Sequence, residues 1–245
     1  MILRGKAALV TGAAHRVGRA LALSLAEHGC DVVLHFHQSV EEATKTAEEI
    51  AARGVRAVPV QADLRHDSGI ATLFQAVDRE FGALDILIQS AAVLEPADLL
   101  AATPEDWART IDLNLRSLFF CLQHAARRMQ ARGGGAIVNI SDQAALRPWR
   151  RYPIHSISKT GVEMLTRVAA LALAPEIRVN AVAPGPVLKP VALSEARWSR
   201  IARSLPLGRA GSPEDVARAM LFLLENDYVT GETVIVDGGD QLPRE

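Results

Sequence analysis

The chain has 245 residues, 49% of them hydrophobic and 22% charged, and a formal net charge of −1. This composition is typical of a globular protein with one large core, and the charge gives no electrostatic footprint for nucleic acid or an anionic membrane. With no secretory pattern, no apolar run of bilayer-spanning length and only Cys30 and Cys121, we expect a soluble cytoplasmic protein without a disulfide framework or a cysteine-based metal site.

Short apolar segments alternate with amphipathic helical segments along the whole chain. Strands are predicted over 6–10, 31–36, 55–60, 84–88, 136–140, 177–182 and 233–236. Helices are predicted over 17–27, 40–53, 70–81, 104–132 and 154–173, and from Pro213 onward. This alternation predicts an α/β fold in which residues 1–245 form a single domain, a Rossmann-type doubly wound parallel sheet with helices on both faces. Its ligand site is expected beyond the carboxyl ends of the strands.

A glycine-containing turn over residues 10–20 joins the first strand to the first helix. Gly12 would permit a sharp turn, and Gly18 would let the helix approach the strand closely. The free N–H groups at the start of such a helix suit a pyrophosphate. The alternative is a helix start that contains two glycines by chance, because glycine patterns alone are weak evidence.

The end of the second predicted strand bears on the choice of dinucleotide. NAD-binding units commonly place Asp or Glu there to bind the ribose 2′-hydroxyl, and residues 34–39 contain no acid. A carboxylate would repel a 2′-phosphate, whereas His37, Ser39 and Arg16 could donate hydrogen bonds to it. The sequence therefore favours NADP(H), the alternative being a polar loop that carries two histidines by chance.

Six segments resemble the short-chain dehydrogenase/reductase family, in the family's order. They are Thr11, Gly12 and Gly18 of T-G-x-x-x-G-x-G, then residues 61–64, 112–115, 179–185, 208–216 and 231–239. The resemblance implies that Asp63 contacts adenine and that Asn114 helps to hold a proton-relay water. It implies the following cofactor-binding residues: Thr11, Gly12, His15, Arg16, Val17, Gly18, His37, Ser39, Asp63, Leu64, Ser90, Ala91, Lys159, Pro184, Gly185 and Val187. It also implies a homotetramer assembled through the long helices, 104–132 and 154–173.

Within the family, the chain most resembles the pteridine reductases. Residues 11–19 match their T-G-A-A-x-R-x-G-R, with Arg16 at the middle glycine, and residues 35–39 match their NADP-binding H-x-H-x-S run. This resemblance implies a pterin as a candidate substrate. Those enzymes stack the pterin on an aromatic residue, but the matching position here is Leu94, which offers an apolar face without aromatic stacking.

The family's active site is built on Y-x-x-x-K, with a Ser thirteen residues before the Tyr. Residues four apart share a helix face, so the Lys ammonium can lie beside the acid and bind the nicotinamide ribose. Lys159 matches the Lys, which places His155 at the Tyr position and Asp142 at the Ser position. Asp142 is also what pteridine reductases have, whereas His155 departs from both patterns. The predicted catalytic residues are therefore Asn114, Asp142, His155 and Lys159.

Three interpretations of His155 remain open. It is itself the acid, because imidazole titrates near neutrality and Asp142 favours its protonated form, although Lys159 opposes it. Alternatively Tyr152 reaches in, which is less favoured because Pro153 predicts a helix start after it and seven residues of helix span about 10 Å. In the third interpretation, the protein binds cofactor without turnover, since losing a general acid lowers the reaction rate by a factor of ~10²–10⁴.

Residues 186–207 correspond to the segment that closes over substrate in this family. Trp198 offers a large apolar surface there, and its helical spacing with Ile201 and Leu205 favours packing over recognition. Arg16 is expected to meet the substrate or, alternatively, the cofactor phosphates. The predicted substrate-binding residues are Arg16, Leu94, Asp142 and Trp198, and no catalytic metal is expected because the other histidines lack metal-ligand spacing.

The sequence as a whole predicts an NADPH-dependent reductase of a small carbonyl or C=N compound, with a pterin as one candidate. The alternative is a catalytically impaired cofactor-binding homologue with a regulatory or structural role.

Overall fold

The computed structural model describes residues 1–190 and 193–243. The strands are β1 (Ala7–Thr11), β2 (Asp31–Phe36), β3 (Ala57–Gln61), β4 (Ile86–Gln89), β5 (Gly135–Ile140), β6 (Ile177–Pro184) and β7 (Thr233–Val236). The helices are α1 (Arg16–Glu27), α2 (Val40–Ala51), α3 (Asp67–Phe81), α4 (Pro104–Ile111), α5 (Ser117–Gln130), α6 (Pro153–Leu173), α7 (Glu195–Ser204) and α8 (Pro213–Glu225). No helix within the described ranges has the length and apolar character needed to cross a membrane.

The strands form one parallel sheet in the order β3-β2-β1-β4-β5-β6-β7. Each face carries its own hydrophobic core. On one face, Leu25 of α1 and Met220 of α8 are fully buried, and on the other Phe74 of α3 and Met129 of α5 are nearly so. Because both faces are covered, the strands are largely apolar, and every residue of β1 is buried. This is the predicted doubly wound α/β fold.

The chain reverses its direction of winding between β1 and β4. From β1 it proceeds outward through β2 to β3, and β4 then lies on the other side of β1, with Thr11 paired to Gln89. The crossover connections therefore diverge from these two strands. In open α/β sheets, a crevice for ligands forms at the carboxyl ends of the strands at this point.

The predicted elements are present, with several bounds shifted by one to three residues. The long helix predicted over 104–132 is divided into α4 and α5 by a π-helical segment, Asp112–Arg116. The backbone hydrogen bonds there span five residues instead of the four of an α-helix. Helix α3 begins at Asp67, three residues before its predicted start. Helix α6 begins at Pro153, as the proline predicted.

Candidate active site

A cleft of about 480 Å³ opens at the carboxyl ends of β1, β2 and β4. Its walls come from the turn after β1, the ends of β2 and β3, and the loop after β4. Eleven predicted cofactor-binding residues line it: Gly12, His15, Arg16, Val17, Gly18, His37, Ser39, Asp63, Leu64, Ser90 and Ala91. The fold thus brings together residues from four separate segments at the expected place.

The turn after β1 requires both of its glycines. Gly12 has a φ of +66°, and a Cβ atom on it would lie 2.8 Å from Cα of Ala91. A Cβ on Gly18 would lie 2.1 Å from the carbonyl oxygen of Gly12. The close approach of helix and strand predicted for Gly18 is therefore present. Arg16, at the middle glycine position of the family motif, has a φ of +56°, a conformation that costs a residue with a side chain about 1–2 kcal/mol.

His35 holds this turn in place from inside the sheet. Its buried Nδ1 accepts the N–H of Gly12 at 3.1 Å, and its Nε2 lies 3.1 Å from the carbonyl oxygen of Ala62. Since the N–H can only donate, Nδ1 carries a lone pair and Nε2–H donates. Burial lowers the pKa of His35 to about 4, so the ring is neutral near pH 7.

Sequence reasoning treated His35 as part of a cofactor-binding run and missed its bond to Gly12. The available indication of a structural role was that His35 lies inside a buried strand. His37, by contrast, follows the end of the strand and is exposed. Thr11 also has a supporting position: its buried Oγ1 accepts the N–H groups of Ser90 and Ala91 at 3.0 and 3.1 Å. It fixes the loop that lines the cleft.

Asp63, at the end of β3, is paired with an arginine that the sequence did not single out. Arg65 donates to both carboxylate oxygens, at 2.7 to 3.2 Å. These hydrogen bonds lower the pKa of Asp63 to about 2, so the carboxylate is ionised. His37 Nε2 lies 3.7 Å from the same carboxylate. The wall of the cleft thus combines a carboxylate, a guanidinium and an imidazole.

The four predicted catalytic positions lie together, and they meet the cleft at Val93. Val93 lines the cleft, and its N–H and carbonyl groups bind the fully buried side chain of Asn114. Oδ1 of Asn114 accepts the Val93 N–H at 2.8 Å, while Nδ2 donates to the Val93 carbonyl at 2.9 Å. Asn114 lies in the π-helical segment, a kind of backbone distortion often found at functional sites.

His155 lies against the same carbonyl group. Its Nδ1 is 3.1 Å from the Val93 oxygen and 3.3 Å from Nδ2 of Asn114. Its Nε2 is buried without a hydrogen-bond partner among the described residues, and the nearest carboxylate oxygen, Oδ2 of Asp142, is 3.7 Å away. The ring of Trp149 lies nearly parallel to the imidazole, with 6.2 Å between centroids. Motif spacing did not identify Trp149 as a neighbour of His155, just as it did not identify Arg65 as the partner of Asp63.

Lys159 lies one helical turn after His155 and is almost completely buried. Its Nζ donates to the carbonyl oxygen of Ile140 at 2.8 Å. Burial lowers the pKa of Lys159 to about 8, an effect that the carboxylates of Asp142 and Glu163 partly oppose. Asp142 accepts the N–H of Ala144 at 2.7 Å through Oδ1, which leaves Oδ2 directed towards His155.

Tyr152, the alternative proton donor, lies just before α6. Its ring packs edge-on against Trp149, with centroids 6.0 Å apart, and no hydrogen bond joins its hydroxyl to the catalytic positions in the part of the chain described. The structure thus brings His155, rather than Tyr152, next to Asn114 and Asp142.

The remaining predicted residues lie outside the main cleft. Leu94 is 45% exposed, between cleft-lining Val93 and Glu95. Trp198 is half-buried on α7, which has no buried residue, although Leu205 after it is buried. Pro184 ends β6, Gly185 lies against Asp237, and Val187 lines a second cavity of about 440 Å³. Residues 191 and 192 of the predicted substrate segment lie outside the described residues.

Within residues 1–190 and 193–243, no group of three or more His, Cys, Asp or Glu side chains is placed to hold a metal ion.

Comparison with known proteins agrees with this geometry. A family profile described as enoyl-(acyl carrier protein) reductase matches residues 12–240. The chain is 38% identical to 2-dehydro-3-deoxy-D-gluconate 5-dehydrogenase of Escherichia coli K12, over 97% of this chain and 96% of that protein. It is 36% identical to 3-oxoacyl-[acyl-carrier-protein] reductase FabG of Staphylococcus aureus Mu50, over 96% and 97%.

A crystal structure from Sinorhizobium meliloti 1021, described as a short-chain alcohol dehydrogenase, superposes with a TM-score of 0.91, 32% identity and 98% coverage of both chains. These relatives do not support the pteridine reductases as the nearest members. The family profile and the relatives agree on the broader assignment. The chain belongs to the short-chain dehydrogenase/reductase family of NAD(P)-dependent oxidoreductases.

Proposed function

We propose that the protein is an NADPH-dependent reductase of a small carbonyl or C=N compound. The observation that carries this proposal is one continuous arrangement: Val93 lines the cleft at the reversal of strand order, and its backbone groups hold Asn114 and His155. When bound, the cofactor supplies a hydride to the substrate carbon. The protein must then deliver one proton to the substrate oxygen or nitrogen, and the 3.7 Å distance between His155 Nε2 and Asp142 Oδ2 supports that role for the pair.

The preference for NADP(H) is supported by the side chains that line the cleft after β2. His37 and Ser39 line it without a carboxylate between them, and Arg16 lines it from the turn after β1. We expect NADPH to bind at least tenfold more tightly than NADH in fluorescence titrations. His37→Asp should reverse this preference, because a carboxylate repels the 2′-phosphate and accepts from a 2′-hydroxyl. His28→Asp, the same change at an exposed site, serves as the control. Equal affinities in the native protein would refute the preference.

The site residues have distinct proposed roles. Lys159 fixes the nicotinamide ribose, Asn114 fixes the loop that ends the cleft, and Arg16, Leu94, Asp142 and Trp198 contact substrate. A pterin is one candidate substrate, since Arg16 and Asp142 match the pteridine reductase pattern while Leu94 does not. The test is NADPH oxidation with a panel of pterins, quinones and small carbonyl compounds. Turnover of any member supports the reductase, and its relative kcat/KM identifies the substrate class.

A catalytically impaired cofactor-binding protein is the second candidate. The observation that favours it is the burial of His155 beside Trp149, with no hydrogen-bond partner for Nε2 among the described residues. His155→Tyr separates the two candidates in the same assay. Turnover by the native protein supports the reductase, whereas turnover only by the Tyr variant supports loss of activity. NADPH binding without turnover by either protein refutes the reductase.

We also propose a cytoplasmic homotetramer whose subunits are single domains spanning residues 1–245. An apolar stripe on α6, formed by Ile157, Met164, Val168 and Leu171, is exposed in the isolated chain, as is Phe119 on α5. The four α6 positions repeat at helical spacing and so lie on one side of that helix. Light scattering of the native protein should give a tetramer, and Met164→Asp should shift it to smaller species. A native monomer would refute this assembly.

A further inference from the structure

The contacts of Nδ1 indicate which nitrogen of His155 carries a proton. The amide of Asn114 has a fixed orientation, because its Oδ1 accepts the N–H of Val93. Its Nδ2 donates one hydrogen to the Val93 carbonyl at 2.9 Å, and both Oγ of Ser158 and Nδ1 of His155 lie 3.3 Å from it as acceptors for the second. The shortest contact of Nδ1 itself is with the Val93 oxygen, and it decides between the two tautomers. A lone pair on Nδ1 of His155 would face the Val93 oxygen at 3.1 Å and be repelled, so Nδ1–H donates to that oxygen.

The exchangeable position of His155 is therefore Nε2. This atom is inaccessible to solvent, has no hydrogen-bond partner among the described residues, and lies 3.7 Å from Oδ2 of Asp142. The side chain of His155 is 4% exposed, whereas that of Asp142 is 24% exposed. The carboxyl group, rather than the imidazole, is thus the accessible member of the pair. An imidazole is also shorter than a phenol, so Nε2 does not extend as far as the tyrosine hydroxyl it replaces.

We propose that Asp142 passes the proton to the substrate, and that His155 is a buried positioning residue which resupplies Asp142 through Nε2. The inference rests on the proposed function and assigns the last step of its proton path. The pair starts as a carboxylate and an imidazolium. The Nε2–H bond breaks as an O–H bond forms on Oδ2 of Asp142, and that O–H bond breaks in turn as a new O–H or N–H bond forms on the substrate, whose carbon accepts the hydride. The pair is left as a carboxylate and a neutral imidazole, and solvent restores one proton to it.

The surroundings of the pair fit this division of roles. The ammonium of Lys159 interacts favourably with Asp142, so it stabilises the carboxylate that remains after transfer. Oδ1 of Asp142 is held by the N–H of Ala144 at 2.7 Å, which leaves Oδ2 available to both the imidazole and the substrate. Trp149 lies against the imidazole and the Val93 carbonyl holds Nδ1, so the ring has little freedom to swing outward.

The kinetic test compares Asp142→Asn, Asp142→Ser and His155→Gln, using NADPH and whichever panel compound the native enzyme reduces. If Asp142 delivers the proton, both Asp142 variants should lose ~10²–10⁴ in kcat. His155→Gln should lose only about tenfold, because Asp142 still exchanges with water. NADPH affinity should be nearly unchanged in all three, and KM should be nearly unchanged in His155→Gln, because the buried imidazole does not contact the substrate. The reverse order, with the larger loss in His155→Gln and near-native turnover in Asp142→Ser, would overturn the proposal.

A second measurement does not depend on turnover. Nitrogen-15 NMR of the histidine-labelled protein without cofactor, assigned with His155→Gln, should show Nδ1 of His155 protonated and Nε2 unprotonated in the neutral ring. The opposite tautomer would overturn the proposal. If the native protein reduces nothing on the panel, the proposed function and the proton route through Asp142 both fail. The NMR result would then decide separately whether Nδ1 carries the proton, as its contact with the Val93 carbonyl indicates.

Discussion

The protonation of His35 should make the stability of this protein depend on pH between about 4 and 6.5. In the folded state burial lowers the pKa of His35 from 6.5 to about 4. Between those values the unfolded chain binds a proton that the folded chain does not. The free energy of unfolding is therefore fully retained above pH 6.5 and falls as the pH drops towards 4.

The size of this effect follows from the shift. A difference of about 2.5 pK units corresponds to roughly 3 kcal/mol, with a maximum slope of about 1.4 kcal/mol per pH unit. The structural cause is specific, because protonation of Nδ1 destroys the acceptor for the Gly12 N–H. His35→Gln retains an acceptor and a donor without titrating. We expect it to lose about 1–2 kcal/mol at pH 7 but to show a much flatter dependence between pH 4.5 and 6.5.

The assay is urea unfolding followed by circular dichroism at fixed protein concentration across that pH range. His124→Gln is the matched control. The pKa of His124 is also lowered by burial, but this residue is partly exposed and does not bind the Gly12 N–H. Its slope should stay close to the native one. Equal slopes for the native protein and His35→Gln would refute the assignment of this pH dependence to the Gly12 turn.

Three further substitutions test the turn and the buried lysine. Gly18→Ala places a Cβ against the Gly12 carbonyl and should cost about 1–3 kcal/mol of stability and at least tenfold in NADPH affinity; native values in urea unfolding and titration would contradict it. Arg16→Gly should raise stability by about 1 kcal/mol by relieving a positive φ, yet weaken NADPH binding in titrations; unchanged affinity would contradict a cofactor role. Lys159→Met removes a buried ammonium, so it should raise the free energy of unfolding by about 1–3 kcal/mol while kcat collapses. A variant less stable than the native protein in urea would contradict the inference that burying this charge costs stability.

The fold was predictable because its elements depend on local patterns. Apolar segments of strand length separated by amphipathic helices specify a parallel sheet whichever side chains fill the cores. The π-helical segment at 112–116 was not predictable, because its apolar residues keep a nearly helical period. Helix α7 gave only a weak pattern around Trp198, since it is polar and none of its residues is buried.

The candidate site was predictable as a set of residues but not as a set of contacts. Motif spacing placed Asn114, Asp142, His155 and Lys159 together, and the structure agrees. The bond from Gly12 to His35 links residues 23 apart in the chain, and no local pattern indicates it. The backbone groups of Val93 that hold Asn114 and His155 are equally invisible to motif reasoning, because a carbonyl group belongs to every residue type.

The two halves of the site tolerate change to different degrees, for a physical reason. At the turn after β1 the close contacts are between backbone atoms, so a side chain at Gly12 or Gly18 must displace the strand or the helix. At the other end, His155 is held by a hydrogen bond to the Val93 carbonyl and by the ring of Trp149 beside it, neither of which requires the backbone to move. His155 therefore fits this position with the fold intact, but its other ring nitrogen, Nε2, is buried. Under the proposed function, a proton on Nε2 reaches a substrate only through a neighbouring group, and the more exposed side chain of Asp142 lies beside it.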